Sequence, residues 1–292
     1  MSLDRLPDAV MCEQLRELAI ELAIEAGRFV RDERPELVDV RRTKASELDV
    51  VTIMDTRCEE MLRASIAAER PDDAVLGEED GLSEGSTGLT WVLDPIDGTV
   101  NYLYDIPAYA VSVAVVVGDP AVAGAWTPVA GAVFNPGVDE IFSAHLGGGA
   151  TLAAAGASTF PRPRALSVQE PESLSRALIG TGFSYDVSQR DVQGQVVTSL
   201  LPQIRDLRRM GAASLDLCAV AAGRLNGYYE RGLQPWDMAA GMLIATEAGA
   251  LVSGVDGPPS SEMVVAGAPT MHADLAAALR EALGQAMAHE RS

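Results

Sequence analysis

Residues 91–102 read Trp-Val-Leu-Asp-Pro-Ile-Asp-Gly-Thr-Val-Asn-Tyr. The apolar run ends at Asp94 and Asp97, where we expect a strand to stop and a helix to begin. Two carboxylates held close together repel each other unless a positive charge lies between them, and a hard divalent cation is the usual partner. Gly98 and Thr99 follow, and their backbone N–H groups can turn toward an anion. The stretch therefore predicts a metal site beside an anion site.

The composition is that of an ordinary globular protein with a strong negative charge. The chain has 292 residues, of which 48% are hydrophobic and 22% charged, and this predicts one large domain or two closely packed domains. Its 22 basic and 42 acidic residues give a net charge of −20, which argues against nucleic acid and anionic membranes as partners. An anionic substrate is compatible with this charge if metal ions intervene.

The cysteines and histidines show no metal-binding spacing. Cys12, Cys58 and Cys218 are scattered, so we expect reduced thiols in a cytoplasmic protein rather than disulfides. The three histidines are also dispersed, which argues against a zinc site. Residues 1–7 lack a signal-peptide pattern, and the unbroken apolar runs are much shorter than the roughly 20 residues of a membrane span.

Helix-like and strand-like patterns alternate along the chain, which predicts an α/β protein. β-Branched residues at 111–117 predict a buried central strand, and residues 81–89 are expected to form an exposed loop. Two prolines without periodicity at 157–164 place a domain boundary there. The predicted helices cover residues 12–30, 56–69, 191–201, 215–222, 238–248 and 273–287. The other predicted strands cover residues 38–42, 74–76, 89–93, 129–134, 140–144, 177–180, 227–230 and 264–266.

Five acidic residues follow or adjoin apolar stretches and therefore lie at the ends of elements. In an α/β protein such ends meet at one edge of a sheet, where ligands bind. The plainer interpretation is that these residues cap helices or lie in solvated turns. The spacing of Asp94 and Asp97 favours a metal site, whereas Asp237 is equally well explained as a helix cap. Taken singly, Thr99 is a turn residue and Glu230 a strand-end acid. The five residues are Asp55, Glu78, Asp94, Asp97 and Asp237.

Four segments, taken in order, resemble the inositol monophosphatase family of magnesium-dependent, lithium-sensitive phosphatases. They are residues 49–55 (Asp-Val-Val-Thr-Ile-Met-Asp), 77–79 (Gly-Glu-Glu), 91–102 and 236–241 (Trp-Asp-Met-Ala-Ala-Gly). Their order and separations fit from about residue 12 to residue 270. The resemblance implies a five-layer α-β-α-β-α sandwich. Residues 1–160 would form the half that carries most metal ligands, and residues 161–292 would complete the active site.

The resemblance also implies a ligand set for two or three Mg²⁺ ions. Glu78, Asp94 and the backbone carbonyl of Ile96 would bind a first ion. Asp94, Asp97 and Asp237 would bind a second, and a third, weaker ion would lie near Glu78.

Further site residues follow from the same resemblance. Thr99, paired with Asp55, would orient and deprotonate the attacking water, and Glu78 is counted with these catalytic residues. The N–H groups of Gly98 and Thr99 would hold the phosphate. The substrate side of the site would comprise Asp97, Gly98, Thr99, the backbone of Ala213, and Glu230.

The family resemblance favours inositol monophosphate as the substrate. Asn101 and Tyr102 after the Gly-Thr turn are typical of the inositol branch, and an acid at Glu230 suits a phosphorylated polyol. The alternative substrates are fructose 1,6-bisphosphate, histidinol phosphate and an adenosine bisphosphate. Because some bacterial relatives associate with the transcription machinery, a role mainly through protein contacts is a further alternative. Relatives often form homodimers, which we expect here.

Overall fold

We describe the fold from a computed structural model, for residues 6–35, 38, 40–43, 50–155 and 163–289. The helices are α1 (Ala9–Asp32), α2 (Ile53–Glu69), α3 (Thr99–Leu103), α4 (Val187–Leu200), α5 (Ala213–Ala221), α6 (Pro235–Glu247) and α7 (Pro269–His289). The strands are β1 (Val40–Thr43), β2 (Val50–Thr52), β3 (Ala74–Gly77), β4 (Gly81–Ser83), β5 (Leu89–Asp97), β6 (Ala110–Gly118), β7 (Trp126–Asn135), β8 (Glu140–His145), β9 (Ala150–Ala154), β10 (Arg164–Ala165), β11 (Leu178–Thr181), β12 (Asp206–Arg208), β13 (Gly227–Glu230), β14 (Leu251–Ser253) and β15 (Val264–Gly267).

Within the described ranges, the strands form two large sheets and a small β1-β2 pair. The larger sheet has eight strands in the order β10-β9-β8-β7-β6-β5-β3-β4, and only its β3-β5 pair is parallel. The smaller has five strands in the order β12-β11-β13-β15-β14. There β11 runs parallel to both neighbours, whereas β15 runs antiparallel to its own.

Buried residues on both faces of β5 explain why this strand lies inside the sandwich. Trp91 and Leu93 share a core with α1 and α2, whereas Val92 between them joins a core with α6 on the opposite face. Side chains of a strand alternate between its two faces, so a continuous apolar run suits a strand that is covered on both sides. Helices therefore cover both faces of the eight-stranded sheet.

The pair α5 and α6 forms the middle layer between the two sheets. On α6, Ala240 and Ile244 pack toward the eight-stranded sheet, whereas Met242 packs with Tyr228 and Val264 of the five-stranded sheet. The helix can bury nearly its whole circumference because it is apolar on every side. It consequently holds the two sheets in a fixed relation.

Helices α4 and α7 form the fifth layer. Leu200 of α4 and Leu279 of α7 share a core with Ile179 and Val265 on the outer face of the five-stranded sheet. The order of layers is therefore α1/α2, eight-stranded sheet, α5/α6, five-stranded sheet and α4/α7. This architecture confirms the expected α-β-α-β-α sandwich.

Several local predictions need correction. Residues 81–83, expected within a loop, form β4 because Leu82 pairs with Leu76 along the edge of β3. Helix α2 begins three residues earlier than expected, at Ile53, because Thr52 caps it. The short strands β10, β12 and β14 were not predicted, since two or three residues carry too little periodicity. The boundary predicted at 157–164 falls mostly on residues outside the described ranges, and the division into halves stays a prediction.

Among the described residues, no helix has both the length and the apolar character needed to cross a membrane.

Candidate active site

Strand β5 delivers both carboxylates of the opening stretch to one end of the eight-stranded sheet. Residues three apart on a regular strand point to opposite faces. The pairing of β5 with β6 is irregular between Asp94 and Asp97, and the N–H of Ile96 donates to Asp94 Oδ1 at 3.0 Å. The strand also continues through Asp97 instead of stopping at Leu93 as predicted. The irregularity therefore explains how both side chains face the same cleft.

Asp237 joins these two residues from the start of α6. Carboxylate oxygens of Asp94, Asp97 and Asp237 all lie within 4.8 Å of one another. Asp237 Oδ2 also accepts the N–H of Gln234 at 2.6 Å, so the carboxylate gives a hydrogen-bond partner to a backbone N–H at the start of α6. Gln234, not Asp237, is the N-cap. The N-cap interpretation of Asp237 is therefore wrong, although its carboxylate takes part in the capping box as the third residue of the helix.

Asp97 also connects β5 to the start of α5. Its Oδ1 accepts the N–H of Ala213 at 3.1 Å, and its Oδ2 accepts the N–H of Ser214 at 2.7 Å. The hydroxyl of Ser214 donates to Oδ2 as well. A carboxylate at a helix N-terminus satisfies N–H groups that have no partner within the helix. This contact places Ala213 beside the acidic cluster.

Glu78 lies on the turn between β3 and β4, and a buried acid of α2 holds that turn. Glu59 accepts the N–H of Glu79 at 2.8 Å and the N–H of Asp80 at 3.0 Å. Arg63 Nε donates to the same carboxylate at 2.8 Å. Glu59 was not predicted from the sequence, although it shares a helix face with Leu62 and Ile66, where a charge is unusual. A charged residue on the apolar face of a predicted helix is the sequence signal from which Glu59 could have been identified.

Thr99 and Asp55 are within hydrogen-bonding distance, as the resemblance implied. Thr99 Oγ1 lies 3.2 Å from Asp55 Oδ1 and 3.1 Å from the carbonyl oxygen of Ile96. Asp55 Oδ2 accepts the N–H of Thr52 at 2.8 Å, which anchors the carboxylate at the start of α2. The geometry therefore leaves Asp55 Oδ1 available to the Thr99 hydroxyl.

An open cleft of about 370 Å³ brings most of the predicted site residues together. Asp55 is the exception, because it lies behind Thr99. Arg209, Arg231, Phe183 and Tyr185 also line the cleft, and no motif in the sequence indicated them. The predicted residues that line it are Glu78, Asp94, Ile96, Asp97, Gly98, Thr99, Ala213, Glu230 and Asp237.

The protein environment favours protonation of these acids when no cation is near. Burial raises the pKa of Asp55 to about 6 and that of Glu230 to about 7. Burial also raises the pKa of Asp97. The pKa of Asp237 lies well above its usual range, first because of burial and next because of the nearby charge of Glu78. A divalent cation would remove this penalty, since an opposite charge favours the ionised form.

Asn101 and Tyr102, the two residues that favoured the inositol branch, are buried and do not line the cleft. Asn101 Nδ2 donates to the carbonyl oxygens of Ala108 and Met210 at 2.7 and 2.8 Å. The Tyr102 hydroxyl donates to the carbonyl of Val30 at 3.0 Å. These side chains hold α3 against its surroundings, so any influence on the substrate is indirect.

The five-layer fold and the carboxylate cluster in its cleft define a class of protein, the α-β-α-β-α sandwiches with an acidic site that could hold a metal ion. Residues 11–285 match the model of the inositol monophosphatase family. The chain belongs to that family.

Named relatives agree with this membership. An inositol-1-monophosphatase of Mycobacterium bovis is 45% identical over 284 residues, covering 91% of this chain and 93% of the relative. A Nus factor SuhB of Vibrio cholerae is 35% identical over 238 residues, covering 81% and 83%. The structure of Mycobacterium tuberculosis SuhB superposes with a TM-score of 0.76 at 43% identity, covering 92% of this chain and 97% of that one.

Proposed function

We propose that this protein is a magnesium-dependent phosphomonoesterase that hydrolyses inositol monophosphate to inositol and phosphate. The observation that carries the proposal is the meeting of Asp94, Asp97 and Asp237 within 4.8 Å, in a cleft that Glu230 also lines. Family membership and the M. bovis relative named inositol-1-monophosphatase support it.

The donor set fits magnesium. The clustered groups are all carboxylates, whose oxygens Mg²⁺ prefers, and burial raises the pKa of both Asp97 and Asp237, so a bound cation would favour their ionised forms. Asp94, Asp97 and Asp237 would hold one ion, and Glu78, Asp94 and the carbonyl of Ile96 another. When bound, the ions would offset the charge of the phosphate and activate a water molecule.

The chain itself would supply the proton acceptor for the attacking water. Asp55 Oδ1 accepts the hydroxyl hydrogen of Thr99, which leaves Thr99 Oγ1 free to accept a hydrogen from the water. The proton then passes from the water to Thr99 Oγ1 as the hydroxyl hydrogen passes to Asp55. The 3.2 Å separation of Thr99 Oγ1 and Asp55 Oδ1 supports this transfer.

The other wall of the cleft would bind the polyol. Glu230 presents a carboxylate that can accept hydrogen bonds from alcohol groups, and Ala213 contributes its backbone. The N–H groups of Gly98 and Thr99, which directly follow Asp97 and line the cleft, would hold the phosphate.

The test is phosphate release with Mg²⁺ from inositol 1-phosphate, fructose 1,6-bisphosphate, histidinol phosphate and adenosine 3′,5′-bisphosphate. We expect kcat/KM to be highest for inositol 1-phosphate. A preference of more than about tenfold for another substrate, about 1.4 kcal/mol in transition-state binding, would reject inositol monophosphate. The metal dependence is tested separately by removing Mg²⁺ with a chelator and restoring it.

A second candidate function is a contact with the transcription machinery, and the V. cholerae relative named Nus factor SuhB favours it. The two functions need not exclude each other. An Asp94→Asn variant that loses turnover but still binds RNA polymerase would establish the second function as independent of catalysis.

Two further properties belong to the proposal. We expect a homodimer, from the family resemblance, which light scattering of the purified protein would test. We expect a cytoplasmic location, consistent with the buried, unpaired cysteines Cys12, Cys58 and Cys218. Fractionation of the source cells would test the location.

A further inference from the structure

The carboxylate of Glu230 is fixed on one side by a neighbour on its own strand. The Tyr228 hydroxyl donates to Glu230 Oε2 at 2.5 Å. Residues two apart on a strand point to the same face, so β13 places both side chains together. Tyr228 is fully buried, whereas Glu230 lines the cleft. A hydrogen bond from a buried hydroxyl to a carboxylate is directional and stronger than one between neutral groups.

A glycine directly after the neighbouring strand leaves space for the carboxylate of Glu230. A Cβ atom built on Gly182 would come within 2.0 Å of both Glu230 Oε1 and Oε2. Heavy atoms cannot approach so closely, so any side chain at residue 182 would displace the carboxylate. Gly182 directly follows β11, which pairs with β13 through Thr181 and Tyr229. The pairing of these two strands therefore places Gly182 next to the Glu230 side chain.

We propose that Tyr228 and Gly182 are positioning residues that hold Glu230 in the orientation needed to bind the hydroxyl groups of the substrate. This inference rests on the proposed function, because it assigns Glu230 to the alcohol side of a phosphate monoester. The Tyr228 hydroxyl occupies one acceptor position of Glu230 Oε2. The other acceptor positions of the carboxylate are then directed toward the cleft. Gly182 supplies the space. Neither residue belongs to the acidic cluster, so their effect is on selectivity rather than on the chemical step.

The experiment compares a hydroxylated substrate with one that lacks hydroxyl groups. Inositol 1-phosphate and phenyl phosphate present the same phosphate, but only the first offers alcohol groups to Glu230. We expect Tyr228→Phe to raise KM for inositol 1-phosphate about tenfold, which corresponds to the free energy of one hydrogen bond. We expect kcat, and the KM for phenyl phosphate, to stay within about twofold of the wild-type values. Gly182→Ala is expected to show the same selective rise in KM.

Two matched controls separate positioning from general damage. Tyr229→Phe removes the hydroxyl of the next residue, whose side chain packs on the opposite face with α7. Gly194→Ala adds a methyl group on α4, where nothing lies within 4 Å apart from the adjacent residues and the backbone of the helix itself. Neither control should change KM for either substrate.

A double-mutant cycle tests whether Tyr228 acts through Glu230. In a Glu230→Ala background, Tyr228→Phe should leave KM for inositol 1-phosphate unchanged. The same tenfold effect in that background, or an equal rise in KM for phenyl phosphate, would overturn the inference. A Tyr228→Phe protein with unchanged KM would also overturn it.

Failure of the proposed function has a different signature. If the wild-type protein prefers another phosphorylated alcohol, the same variants are measured on that substrate, and the selective rise in KM is still required. If Glu230→Ala leaves KM unchanged for every hydroxylated substrate, Glu230 does not bind the alcohol, and the inference is wrong whichever substrate is preferred.

Discussion

Glu59 is expected to control both the stability of the fold and the metal dependence of the enzyme, although it lies outside the cleft. Its side chain is fully buried and receives the N–H groups of Glu79 and Asp80, directly after Glu78. The substitution that tests this role is Glu59→Gln, which preserves the shape of the side chain. An amide has one acceptor oxygen in place of two, so at least one backbone N–H would face an NH₂ group.

The contacts give the size of the effect. A hydrogen bond to a charged group contributes about 1.5–3 kcal/mol, and leaving a buried donor unsatisfied costs about 1–3 kcal/mol. Arg63 loses a charged partner but keeps its contacts with Ser83 and the carbonyl of Gly81. We therefore expect the free energy of unfolding to fall by about 3 kcal/mol. For a chain of 292 residues, that corresponds to a fall of about 5 °C in Tm.

The Mg²⁺ dependence of phosphate release should also change in Glu59→Gln. Because Glu59 holds the turn that carries Glu78, its loss should weaken the apparent affinity for Mg²⁺ by about 10–100-fold, as is usual for partners of metal ligands. Thermal unfolding gives the first quantity, and phosphate release titrated with Mg²⁺ gives the second.

The control is Glu60→Gln, which makes the same chemical change at the next, exposed position of α2. It should alter neither Tm nor the Mg²⁺ titration. If Glu59→Gln matched Glu60→Gln in both measurements, the inferred role of Glu59 in holding the Glu78 turn would be refuted.

Four further predictions concern the site itself. Asp94→Asn should lower phosphate release by more than about 100-fold and leave Tm within a few degrees, and full activity would disprove its role as a ligand. Thr99→Val should lower kcat by about 10²–10⁴-fold with little change in KM, and an unchanged kcat would exclude the proposed proton transfer. Burial raises the pKa of Glu230 to about 7, so its acceptor form is lost as the pH falls through 7. KM for inositol 1-phosphate should therefore rise below pH 7 in the wild-type protein but not in Glu230→Gln, and identical pH profiles would contradict this. Finally, LiCl should inhibit phosphate release, and an unaffected rate would set this chain apart from the lithium-sensitive family that it resembles.

The sequence was sufficient where the relevant signal is local or where several motifs occur in order. The apolar run before Asp94 predicted a strand, and both faces of β5 are indeed covered. The spacing of Asp94 and Asp97 indicated a shared site, and the irregular register of β5 between them lets both side chains line one cleft. The order of the four motifs indicated the family, and the five-layer fold followed from that resemblance. Periodicity alone did not predict it.

Only the tertiary structure showed which remote residues support the site. Glu59, Ser214 and Tyr228 look ordinary in the sequence, yet each bonds to a site residue or to the turn that carries one. Asp237 reaches Asp94 because α6 is packed between the two sheets. Local patterns determine periodicity and turns, because these depend on neighbouring residues. Distances between remote carboxylates and their partners depend on how the layers pack, which no single segment encodes.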